Sequence, residues 1–186
     1  MARRSRGKRS PLPDRVYAVR RVTGGAAGFS ATATQPEITQ LVFSVLEGFS
    51  GPLGMILVEH RDRSREWVAR DLDRAVVLET LMFLRDLWGR SVMDLALFSS
   101  AHALEVFLDR WGTVEIRTGS WNEPRIIAVL HASGFERVDR VAPVPPESGG
   151  ELEWTDEATQ RVRRVRKRLG LRPAPPPEDA AGSAER

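Results

Sequence analysis

The 186-residue sequence predicts an α/β domain: a mixed sheet with a hairpin at its N-terminal side, two strand–helix–strand units, helices packed on the sheet, and basic, disordered termini. Three observations lead there. Apolar residues make up 41% of the chain, with five Trp and seven Phe, enough to fill one ordinary core. Along residues 15–142 the hydrophobic period switches repeatedly between two and about 3.6, with Gly, Pro or a capping side chain at most switches. The flanks instead carry basic runs and Pro-rich stretches with little to bury.

Residues 1–14 read as a disordered basic arm and 15–142 as the α/β domain. RVYAVRRV (15–22) alternates as an edge strand, and TGGAAGFSATATQ (23–35) has the composition of a loop. Pro36 suits a first helical turn, so a helix is expected over 37–49, before Gly51-Pro52. LGMILVEH (53–60) and REWVAR (65–70) flank the polar turn RDRS as a β-hairpin would. Asp73 can cap a helix over 74–88, whose Leu81, Leu84 and Trp88 share a broad apolar face. SVMDLALF (91–98) suits a buried strand, and Ser99 or Ser100 can cap a helix in AHALEVFLDRW (101–111) that Gly112 ends. TVEIRT (113–118) alternates as a strand. Asn122 can cap the helix 123–133, with Pro124 in its first turn and Gly134 as the stop, and FERVDRV (135–141) returns as a strand. Serial strand–helix–strand units imply parallel pairing through crossovers. Residues 143–154 form a Pro- and Gly-containing linker, 155–170 a basic amphipathic helix with Val162, Val165 and Leu169 on one side, and 171–186 a disordered tail.

Charge is divided by region. Residues 1–21 carry eight basic side chains against Asp14, a net of +7, and 161–172 carries seven basic residues and no acidic one. The whole chain is +3, and 173–186 sums to −2, so the centre at 22–160 is −9. An acidic body thus bears basic arms, which suit phosphate backbones or an acidic protein surface, their own included. Arg163, Arg164, Arg166, Lys167 and Arg168 are the candidate anion-binding residues. The helix they occupy can be a solvated appendage, a nucleic-acid arm or a docking helix for an acidic partner.

With no Cys, disulfides, thiolate metal sites and cysteine nucleophiles are excluded. His60, His102 and His131 fall in separate elements without metal-ligand spacing, so no metal site and no cofactor are expected. No window has the length of a membrane-spanning helix, and no apolar run follows the basic N-terminus as in a signal peptide; a cytoplasmic protein with no membrane partner is expected. Glu105 and Asp109 share a face of the expected helix beside Arg110, which reads as surface pairing, and no catalytic residue is assigned. Trp121, in the TGSWNEP loop, and Asn122 are candidates for an interface.

Three segments carry resemblances. VTGGAAGF (22–29) resembles the glycine-rich turn of short-chain dehydrogenases, which implies pyrophosphate binding; that family's Tyr and Lys pair has no counterpart, since the chain has only Tyr17, Lys8 and Lys167. RVTGGA (21–26) fits the R-x-x-G-x-A turn of acyl-CoA-dependent N-acetyltransferases, and NEPRIIAVLHASGFERV looks like their closing helix and strand, although roughly a hundred residues separate the two pieces. Residues 53–141 are similar in element order to the STAS domains of anti-sigma-factor antagonists, with Ser99-Ser100, GTVEIRT and IIAVLHASGFERV as the matching pieces. That resemblance implies a small regulatory protein with a phosphorylatable serine at a helix start. Phe98 stands where the family has Asp, and Ala101 where it has Gly. The expectation is a non-enzymatic regulatory or adaptor module that binds a protein partner. Its rivals are nucleic-acid binding by the basic arms and a nucleotide- or acyl-CoA-dependent enzyme using the 23–30 loop.

Overall fold

The computed structural model describes residues 15–61, 64–87, 92–109, 112–141 and 154–175; the expected arm 1–14, most of the linker and the tail beyond 175 lie outside the described residues. The elements are β1 (Val16–Arg21), β2 (Ala27–Thr32), α1 (Gln35–Glu47), β3 (Leu53–Glu59), β4 (Arg65–Leu72), α2 (Arg74–Leu84), β5 (Met93–Ser99), β6 (Leu104–Leu108), β7 (Thr113–Thr118), α3 (Glu123–Ala132), β8 (Glu136–Arg137), α4 (Asp156–Leu169) and β9 (Arg172–Pro173). One nine-stranded mixed sheet in the order β8-β1-β2-β7-β6-β5-β3-β4-β9 carries four helices, the α/β architecture expected.

Two expected elements are replaced by strands. Where a helix was expected over 101–111, residues 100–108 form a 3-10 turn at Ser100–His102 and then β6, because Leu104, Val106 and Leu108 alternate with Glu105 and Phe107 at period two. Gly112, at φ 82°, closes the hairpin to β7, and Asp109 accepts the Thr113 amide at 2.8 Å within it. Likewise 27–32 forms β2, whose Ala27, Phe29 and Ala31 are buried on one side. The helix from Arg74 ends at Leu84, and the strand expected over 135–141 pairs only at Glu136–Arg137.

These extra strands change the pairing. β7, α3 and β8 do form a strand–helix–strand unit with parallel strand directions, as do β2, α1, β3 and β4, α2, β5. In each, however, at least one other strand separates the two ends in the sheet order. Neighbours are therefore antiparallel throughout the described sheet except β1 with β8.

The strands bury one face. Tyr17, Phe29, Ile116, Val106, Leu97, Met55 and Leu57 point to it, where Ile38, Leu41, Val42, Val45 and Leu46 of α1, Val77, Leu81 and Leu84 of α2, Ile126 and Leu130 of α3, and Val162, Val165 and Leu169 of α4 complete one continuous core. Glu37 anchors the start of α1: its carboxylate accepts the Thr34 amide at 2.9 Å and meets Arg15 at 2.6 Å. Hydrogen bonds from the Thr34 hydroxyl and amide, with Arg15 adding to them, hold it below the ordinary value of 4.5.

The basic helix is no solvated appendage. α4 begins where Thr155 accepts the Ala158 amide and ends at Gly170, whose φ of 61° allows the left-handed stop. Three of its cations meet acidic groups of the body. Arg161 grips both oxygens of Asp86 at 2.6 and 2.7 Å, Arg168 does the same to Glu79 at 2.6 and 3.0 Å, and Arg166 reaches Glu59 at 3.1 Å. The Asp86 hydrogen bond raises the Arg161 pKa further, and the Arg168 hydrogen bond holds Glu79 below its ordinary value. Beyond the helix, Leu171 is buried and Arg172–Pro173 pair with β4, so the expected tail starts later than residue 171. A closed apolar stripe and opposite charges on the body account for the docking.

Candidate functional site

All four α-helices of the described residues pack on one side of the sheet, and no described helix covers the opposite face. The register places Val68, Ile56, Ala96 and Phe107 side by side across β4, β3, β5 and β6. Neighbouring strands lie about 4.8 Å apart, so this apolar row runs about 14 Å across the sheet. Val58 and Phe98 widen it on adjacent rows, and none of the six belongs to the helix-side core. Phe98 lies flat on β3: a methyl group added at Gly54 would stand 2.0 Å from its Cζ. Towards β1 the face turns polar, with Arg20 2.8 Å from Glu115 and Arg117 3.3 Å from both Glu115 and Glu105. The half-buried apolar centre, with Ala96 buried within it, is thus bordered on one side by mutually paired charges.

The candidate residues of the sequence are partly brought together. A cleft of about 630 Å³ at one end of the sheet is lined by Gly24, Gly25, Ser99, Ser100, Glu105 and Trp121 among others, which joins the glycine-rich turn, the serine pair and the loop tryptophan. Trp121 is 64% exposed and folds over Gly119. Asn122, by contrast, is buried and unsuited to an interface. Its Nδ2 donates to the His102 carbonyl at 2.9 Å and to Thr118 Oγ1 at 3.1 Å, and its side chain does not cap α3. Neither serine caps an α-helix: Ser99 is the last residue of β5, with a buried Oγ lacking a partner among the described residues, and Ser100 opens the 3-10 turn. A phosphate there would therefore find no helix dipole, since a strand follows.

The glycine-rich turn also lacks the geometry of a nucleotide loop. Gly24 and Gly25, at φ 83° and 82°, turn β1 back into the antiparallel β2, so no helix N-terminus stands behind them to receive a pyrophosphate. Glu105 and Asp109 share no helix face; Glu105 sits on the open face beside Arg117, and Asp109 holds the β6–β7 turn. Of the basic residues, Arg166 and Arg168 are engaged by Glu59 and Glu79, while Arg164 and Lys167 are exposed on α4. Arg163 lines a second cleft together with Arg166, Arg61 and Arg65.

One constellation was not legible at all. The His60 ring lies 2.8 Å from Asp94 Oδ2 through Nε2 and 3.2 Å from Ser64 Oγ through Nδ1. Ser64 and His60 are close in sequence, but Asp94 arrives only because β5 pairs with β3, opposing Asp94 to Val58. The contacts tie the β3–β4 turn to β5, and the Trp154 Nε1 adds a bond to the His60 carbonyl. His102 and His131 are also engaged, with the Ser50 carbonyl and the Tyr17 hydroxyl respectively. Among the described residues no cluster of three or more His, Asp or Glu could hold a metal ion, and no helix is long and apolar enough to cross a membrane.

No protein-family model matches the chain, and neither a curated protein nor a solved structure shows significant similarity to it.

Proposed function

We propose that the protein is a non-enzymatic regulatory or adaptor module, working in the cytoplasm, that binds another protein on the open face of its sheet. The observation that carries this reading is the row Val68, Ile56, Ala96 and Phe107, with Val58 and Phe98 beside it, on the side opposite the four described α-helices. The occupant is the apolar side of an amphipathic element in a different protein. Arg20 and Arg117 are matched by Glu105 and Glu115, so the rim has no surplus charge to attract a polyanion. A rim already paired within the chain needs few charged partners when it is covered.

The test is site-specific photo-crosslinking in cells, with p-benzoylphenylalanine in place of Phe107 or, as control, of Gln160 on the exposed side of α4. A heteromeric adduct formed from position 107 and not from 160 is expected. An adduct of twice the chain mass would make the face a self-association surface, and the absence of any position-specific adduct would remove the docking reading altogether.

A further inference from the structure

The second cleft, of about 590 Å³, opens between α4 and the β3–β4 hairpin. Four guanidinium groups line it from three places: Arg61 in the turn, Arg65 on β4, and Arg163 and Arg166 on α4. One carboxylate, Glu59, stands among them, leaving a net +3 for these five lining groups. Glu59 is buried and already committed, 3.1 Å from Arg166 and 3.5 Å from Arg61.

Two of the arginines are held in place. Arg166 stacks on Trp67 with its guanidinium carbon 3.1 Å from the ring centroid, and Arg61 stacks on Trp154 at 4.2 Å while donating to Thr159 Oγ1 at 3.0 Å. The Nε of Arg166 is nevertheless a buried donor with no acceptor among the described residues. A buried donor of this kind calls for an acceptor that the described residues do not supply. The other two arginines, Arg65 and Arg163, are exposed and make no ion pair among the described residues. Two fixed forks and two free ones, around a concave space of ligand size, form a receptor for an anion with several oxygens and more than one charge.

We infer that this cleft binds a diphosphate group, with Arg61 and Arg166 as preset donors and Arg65 and Arg163 closing over it. A single carboxylate offers two acceptor oxygens and one charge, too few for four forks and a +3 field. A diphosphate supplies both in a compact shape. The site stands apart from the open face, so it holds whether or not a protein docks there.

The probe is inorganic pyrophosphate, titrated calorimetrically into the full chain, with ADP as a parallel arm. Saturable one-to-one binding is expected. The Arg65→Ala/Arg163→Ala variant should lose affinity about 100-fold, from two charge-assisted contacts, without a change in melting temperature in the absence of ligand. Arg164→Ala/Lys167→Ala removes the same charge from the exposed side of α4 and should bind as the parent does. Tighter binding of ADP would place the diphosphate in a nucleotide, and tighter binding of pyrophosphate would make it free; both support the site. No binding, equal loss in the two double variants, or a preference for duplex DNA whose affinity grows with its length would overturn it.

Discussion

Replacing Gly54 by Ala tests the contact that shapes the open face. The added Cβ would meet Cζ, Cε2 and Cε1 of Phe98 at 2.0, 2.2 and 2.5 Å, well inside van der Waals contact. The backbone itself accepts the change, because Gly54 has no positive φ. Phe98 must therefore swing off β3, and overpacking of this kind costs about 1–3 kcal/mol. Where Phe98 has first been changed to Ala, the clash is gone and only the removal of a strand glycine remains, which stabilises by about 0.5–1 kcal/mol. The substitution should thus change sign between the two backgrounds, with a coupling energy of about 1.5–4 kcal/mol. Urea denaturation of the parent, both single variants and the double variant measures this directly. Additive effects would show that Phe98 does not lie on Gly54 and would undo the account of how the apolar row is kept flush.

Further outcomes follow from the core, a cap and the histidine contacts. Leu84→Ala, at a site with no exposure in the shared core, should cost about 2–5 kcal/mol in urea, and a loss under about 0.5 kcal/mol would show α2 to be peripheral. At an N-cap, Asp replaces Asn without loss, but Asn122 donates from its amide to two oxygens and a carboxylate cannot. Asn122→Asp should consequently cost about 1–3 kcal/mol by thermal melting, and a neutral result would restore the cap. Glu37, with its pKa lowered from 4.5, contributes stability that is complete at neutral pH and lost as pH falls through 4.5 towards the folded value. Between about pH 5 and pH 3 the parent should lose stability more steeply than Glu37→Gln, and parallel acid titrations would disprove the contribution. A fluorophosphonate probe should leave Ser64 unlabelled, since its 3.2 Å contact with His60 is long for a hydroxyl hydrogen bond; labelling that disappears in His60→Ala would make the protein a hydrolase.

Local chemistry sufficed wherever a segment's period and its punctuation agreed. Pro36 and the apolar spacing behind it marked α1, Asp73 marked the start of α2, and RDRS between two apolar runs marked the β3–β4 hairpin. The amphipathic spacing of Val162, Val165 and Leu169 likewise defined α4 and the side it would bury. Whether that side met solvent, a partner or its own body depended on where Asp86, Glu79 and Glu59 lay in space, residues 75 to 107 positions away from their arginines.

For 101–111 the sequence supported two periods at once, and the sheet chose between them. β6 fills the gap between β5 and β7 with paired backbone groups, a gain that helical spacing within the segment could not register. The same choice removed the helix from behind Ser99 and Ser100 and set Phe107 beside Ala96. The open face and the arginine cleft were both beyond sequence reading for this reason. Apolar alternation shows that a strand has two faces, but only the placement of the described helices on one of them shows which residues no described helix covers; and four arginines become one site only when a hairpin and a helix, about a hundred residues apart, are packed together.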